Sequence, residues 1–200
     1  VGLKKLHQRV VIVCAGNLST DRAIVNPIST AMQSRLIHIT MELNFQEFLE
    51  DVAFKHNWDS RIIAFLSYRP SALHDFRPDH NEKTFCAPRT WEFMNKLIKG
   101  NQVTQEDAPL YAGAITSGVA VDFINFTKVY DSLPKLDDIL KDPSGMALPV
   151  DAATRYATIT HLIEHVDADN FSLITTYINR LTAEFRVLFF RGLMIQKPQL

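Results

Sequence analysis

The sequence predicts a mainly helical chain whose first forty residues carry the end of an α/β core. Three observations lead there. Two short apolar runs, Val10–Ala15 and Leu36–Met41, stand near the start. Beyond Met41, apolar residues recur at helical spacing almost to the C-terminus. Helix caps and stops punctuate that second stretch at intervals suited to short helices.

Val10-Val11-Ile12-Val13-Cys14-Ala15 is a continuous, largely β-branched run that ends at Gly16-Asn17. A short all-apolar run closed by a turn signal predicts a strand buried on both faces, as in a parallel sheet. Leu36-Ile37-His38-Ile39-Thr40-Met41 is the only similar run. Two strands make no stable buried sheet, so a truncated α/β domain is expected. Between them, Ser29–Ser34 reads as a short helix after Pro27. Asn44 caps the next helix, with Glu47 at the capping-box position and Phe45, Phe48, Leu49 and Val52 on one face. Asp59 caps another, carrying Ile62, Ile63, Phe65 and Leu66. Ser71–Ala87 is polar and contains Pro78, and reads as a loop. Pro88 opens a helix through Lys99, stopped by Gly100.

Ala108–Val129 predicts one long apolar helix. Its Gly113 and Gly118 each cost about 1 kcal/mol there, usually in exchange for close approach to another backbone. Pro134–Lys141 predicts a short helix, and Pro149–Val166 and Asn170–Gln196 two final ones. Pro143-Ser144-Gly145 is the best linker candidate.

Of the 200 residues, 46% are apolar and 22% charged, ordinary values that argue against disorder. The net charge of -1 lacks the basic excess of a dominant nucleic-acid footprint. Cys14 and Cys86 are far apart, in no metal-ligand spacing, and fit two free thiols in a reducing, cytoplasmic setting. No apolar run reaches the roughly 18 residues of a membrane span. The sequence begins on Val1 rather than Met, so its native N-terminus is expected to be missing.

No Gly-x4-Gly-Lys-Ser/Thr motif occurs, and no apolar strand ends in Asp-Glu. Three residues stand out nevertheless. Asn17 follows the first strand directly, where it either orients a water or phosphate oxygen, or serves as a turn residue. Arg35 sits at an element end, where it either reaches a phosphate across an interface, or complements a helix C-terminus. Arg89 is a cation at a helix N-terminus, a mildly unfavourable place. Either an anion sits beside it, or the guanidinium stacks on Trp91 or pairs with Glu92. His161 and His165 lie four residues apart on a helix with Glu164 near, a spacing that can bind zinc. Without a further ligand nearby they read as a solvated face, and no metal is assigned. His74-Asp75 and Asp79-His80 read as ordinary loop polarity.

Taken in order, these features resemble the AAA+ ATPases of the MoxR group. The run Val10–Ala15 with Asn17 looks like the sensor 1 strand, and Asp21-Arg22-Ala23 through Pro27 resembles the stretch after that strand. Ser34-Arg35-Leu36 resembles the arginine-finger segment. Phe85-Cys86-Ala87-Pro88-Arg89-Thr90-Trp91-Glu92 resembles the sensor 2 segment of the helical lid. The resemblance covers 10–126 and extends more weakly beyond. It implies a P-loop NTPase fragment: residues 1–43 close the α/β core with two strands, 44–130 form the lid, and 131–200 a C-terminal helical extension. It also implies that the phosphate-binding and magnesium-binding segments lie upstream of Val1, so that the chain alone does not hydrolyse ATP. In the complete protein Asn17 would orient the attacking water, Arg35 would act in the neighbouring subunit's site, and Arg89 would touch the γ-phosphate. ATP and Mg2+ are the implied cofactors. The implied partners are neighbouring subunits of a homo-oligomeric ring and a client protein, with a von Willebrand factor A-domain protein as one candidate. Neither membrane nor nucleic acid is expected. The rival readings are a non-enzymatic helical interaction module and a DNA-associated ATPase subunit.

Overall fold

The computed structural model describes residues 7–18 and 25–200. It divides into two compact units, Val1–Met41 with Arg77–His80, and Glu42–Phe76 with Asn81–Leu200. The stretch Asp21-Arg22-Ala23 lies outside the described residues.

Among the described residues of the first unit the regular element is α1 (Thr30–Gln33), whose N-cap Ser29 side chain accepts from the Met32 amide. The two expected strands do not form: no strand occurs among the described residues. Val10–Ala15 and Leu36–Met41 lie exposed, with Val11 85% and Ile37 93% accessible. The reason is the one that makes a two-stranded buried sheet unstable: no ladder takes up the main-chain donors and acceptors, and no second layer covers the side chains.

The second unit is helical. Asn44 caps α2 (Phe45–Glu47), accepting from the Gln46 and Glu47 amides at 2.9 and 3.2 Å. The helix then widens into a π-helical stretch, Phe48–Phe54. Its buried pairs, Phe48/Leu49 and Ala53/Phe54, repeat every five residues, matching the i→i+5 ladder of a π-helix rather than the 3.6 spacing expected. Val52, expected on the core face, is therefore only half-buried, and Phe54 replaces it.

Asp59 caps α3 (Ser60–Tyr68) by accepting from the Arg61 amide. α3 packs along α8 (Ala152–His165), and both bury most of their circumference. Outside this pair, α10 (Ala183–Gln196) lies on α8 and on the π-helical stretch. The close approach runs through Gly192: a Cβ there would sit 2.7 Å from a Phe54 ring carbon and 2.8 Å from Ile163 Cδ1. α9 (Phe171–Ile178) rests on α7 (Leu136–Lys141) and α10. The single helix expected over Asn170–Gln196 is thus two, separated at 179–182.

Ala108–Val129 is likewise broken, into α5 (Ala108–Ile115) and α6 (Ser117–Thr127). Thr116 makes the break with φ 78° and ψ 155°, a region that side chains other than glycine's seldom occupy. The two halves fold side by side next to α4 (Pro88–Ile98). Gly113 and Gly118 face open space rather than a neighbouring backbone, so their expected packing role belongs instead to Gly192. Pro143-Ser144-Gly145 is a turn within the second unit, tied down by Gly145 N–H to Asp142 Oδ1 at 2.8 Å and by Arg180 to the Pro143 and Met146 carbonyls.

Candidate functional site

The residues around Arg89 are assembled from several elements of the second unit. Pro88 opens α4 with a preset φ and no amide to satisfy. The Thr90 hydroxyl accepts from the Ala87 amide at 2.9 Å, which ties down the entry of the chain. Trp91, fully buried, anchors the first turn. Its indole N–H donates to the Ala72 carbonyl at 2.7 Å, and its ring meets Phe65 and Phe123. At the far end, Gly100 terminates α4 at φ 77°. The Arg61 guanidinium joins that end to the start of α3, gripping both Asp59 carboxylate oxygens while donating to the Ile98 and Asn101 carbonyls.

The segment entering α4 is held on its other side. Asp75 and Cys86 form an antiparallel bridge. The Cys86 thiol donates to the Ile115 carbonyl at 2.9 Å, and Thr84 to that of Ala114 at 3.1 Å. Burial, with the Asp75 carboxylate as the next cause, pushes the Cys86 thiol up to about 12. Cys86 is therefore a structural thiol that stays protonated at neutral pH.

On this framework Arg89 is exposed. It forms no ion pair within 4.0 Å and no cation–ring contact among the described residues. Trp91 is buried away from stacking, and the Glu92 carboxylate takes Lys96 Nζ at 2.6 Å. The Glu92 carboxyl lies below the usual range because of Lys96 first, with Arg89 a minor contributor. Both local alternatives for Arg89, stacking and pairing, are thus unmet.

Asn17 and Arg35 belong to the first unit. Asn17, expected at the end of a buried strand, instead lies exposed in a stretch without regular structure. Arg35 follows α1, and its guanidinium donates to the Ala31 carbonyl at 3.2 Å, the helix-terminal contact open to any arginine there. His74 lies against Phe76, and the Asp75 backbone forms the bridge with Cys86.

One feature of the second unit escapes sequence reasoning, and another departs from its expected solvated setting. One is a cleft of about 640 Å³ lined by Trp58, Asp59, Ser60, Lys99, Glu164 and Lys197 among others. Its walls come from segments a hundred residues apart, so no local spacing announces it. The other is the grouping of His161, Glu164 and His165, whose ligand atoms all lie within 4.8 Å of one another. The i, i+3, i+4 spacing is visible in the chain, but His161 is half-buried rather than part of a solvated face.

Comparison with family models, curated proteins and solved structures finds no match for the chain.

Proposed function

We propose that the chain is the C-terminal part of a MoxR-like AAA+ ATPase, with residues 44–130 serving as a nucleotide-sensing lid and 131–200 as a C-terminal helical extension. The observation that carries this reading is Arg89. It is a cation at the positive end of an eleven-residue helix, without a carboxylate or ring partner among the described residues, on a turn fixed by a fully buried tryptophan. Electrostatically that arrangement lacks an anion. A γ-phosphate supplies one, and its loss after hydrolysis gives the lid a reason to change angle.

The other roles rest on the same chemistry. Phosphoryl transfer needs positioning and charge stabilisation more than a nucleophile. Asn17 orients the attacking water, and Arg35 enters the neighbouring subunit's site, leaving its contact with Ala31. ATP and Mg2+ are held by phosphate-binding segments that this chain lacks. The exposed Val10–Ala15 run supports the reading too, since its apolar side chains call for the sheet of an AAA+ core. The assembly is a homo-oligomeric ring in the cytoplasm acting on a client protein, with a von Willebrand factor A-domain protein as the candidate. No helix among the described residues is long and apolar enough to cross a membrane.

The test is steady-state Mg-ATP hydrolysis by the complete protein. Arg89→Ala is expected to lower kcat by about 10²-fold, the loss typical of one preorganised charge-stabilising donor. Its thermal melting should not change, because the side chain is exposed. Equal turnover in Arg89→Ala and the unaltered protein contradicts the assignment.

The exposure of Val11, Val13, Ile37 and Ile39 also favours a second reading, a non-enzymatic module whose N-terminal arm adds a strand to a partner's sheet. That reading predicts no ATP turnover under any condition.

A further inference from the structure

We propose that the last turn of α8 is a binding site for a divalent transition-metal ion, held by His161, Glu164 and His165. It is independent of the ATPase reading.

Positions i, i+3 and i+4 of a helix share one face, and here the three ligand atoms already lie within 4.8 Å. A four-coordinate zinc with bonds of about 2.0–2.1 Å needs its donors about 3.3 Å apart, a distance that small side-chain rotations reach. The imidazole tautomer is set in advance. His165 Nδ1 stands 2.8 Å from the His161 carbonyl oxygen. A carbonyl only accepts, so Nδ1 carries the proton and Nε2 presents its lone pair. Ligating histidines are characteristically oriented by this kind of hydrogen bond from the other ring nitrogen.

The carboxylate has an outer partner as well. Ser60 Oγ donates to Glu164 Oε2 at 3.1 Å, which leaves the other oxygen for an ion. The site lies at the C-terminal end of a fourteen-residue helix, where the partial negative charge of the backbone favours a cation.

The opposing charge is Lys197. Its ammonium is committed to the Glu164 and Val166 carbonyls at 2.7 and 2.6 Å rather than to the carboxylate. Two imidazoles and a carboxylate suit Zn2+, Ni2+ or Cu2+ better than Mg2+ or Ca2+.

Calorimetric titration of the 200-residue chain with Zn2+ tests the site. The expected result is one saturable equivalent and a melting temperature that rises with Zn2+ concentration. His165→Ala and Glu164→Gln should each weaken binding by at least about 10-fold, and Ser60→Ala by about 10-fold through the outer hydrogen bond. His165 and Glu164 are exposed, so both variants keep the core. A d–d absorption band of Co2+ bound to the unaltered chain, abolished by added Zn2+, reads the same ligation without any substitution. Weakening in either ligand variant supports the site. No uptake by the unaltered chain, or affinity unchanged in both variants, overturns it.

Discussion

Replacing Arg35 by alanine is expected to lower ATP turnover of the complete ring by about 10³-fold or more, the range that arginine fingers contribute in phosphoryl transfer. The loss should fall on kcat, because a finger acts on charge that develops in transfer. Within its own chain the Arg35 guanidinium donates to the Ala31 carbonyl of a four-residue helix. Losing that contact costs about 0.3–1 kcal/mol at an exposed helix end. A purely local role therefore predicts almost no change in rate. Mixing separates the two roles further. Arg35→Ala subunits and Asn17→Ala subunits are each expected to be inactive alone. In a ring assembled from equal amounts of both, about a quarter of the head-to-tail interfaces join an intact Asn17 to an intact Arg35. Partial recovery of turnover on mixing is the expected result. Its absence places Arg35 outside the neighbouring site.

Trp91→Ala is expected to destabilise the chain by about 3–5 kcal/mol, the usual cost of deleting a buried aromatic. Trp91 is fully buried against Phe65 and Phe123. Its removal leaves a cavity and also strands the buried Ala72 carbonyl that accepts from the indole. Urea denaturation checks this: the midpoint falls while the slope stays constant. Trp91→Phe keeps most of the volume and loses the hydrogen bond, so its cost should be nearer about 1–2 kcal/mol. Because Trp91 fixes the turn that carries Arg89, the alanine variant should also lose nucleotide response. The arginine variant, by contrast, loses response without losing stability. A tryptophan variant as stable as the unaltered chain contradicts the packing described for α4.

Much of the helical architecture is legible in the sequence because local chemistry decides it. Asn44, Asp59, Pro88 and Gly100 each do what their side chains or backbone preferences dictate. Where the sequence misleads, a tertiary contact or a missing one decides. Apolar spacing cannot reveal that Phe48–Phe54 winds as a π-helix, since the seat for Phe54 is provided by Gly192 far along the chain. Nothing in Ala108–Val129 announces a break, because Thr116 adopts a backbone conformation that its own side chain disfavours. The β-branched run Val10–Ala15 carries strand propensity, yet propensity without ladder partners leaves it exposed and without regular structure. At the candidate site, Arg89 is legible as a cation in an unfavourable place. Its lack of a stacking or pairing partner is not, because that depends on where Trp91 is buried and what Lys96 reaches.

The ATPase assignment stands or falls on the coding sequence upstream of Val1. A Gly-x4-Gly-Lys-Ser/Thr loop is expected there, then an apolar strand ending in Asp-Glu. An upstream reading frame without either segment, or a start codon close to Val1, contradicts the assignment.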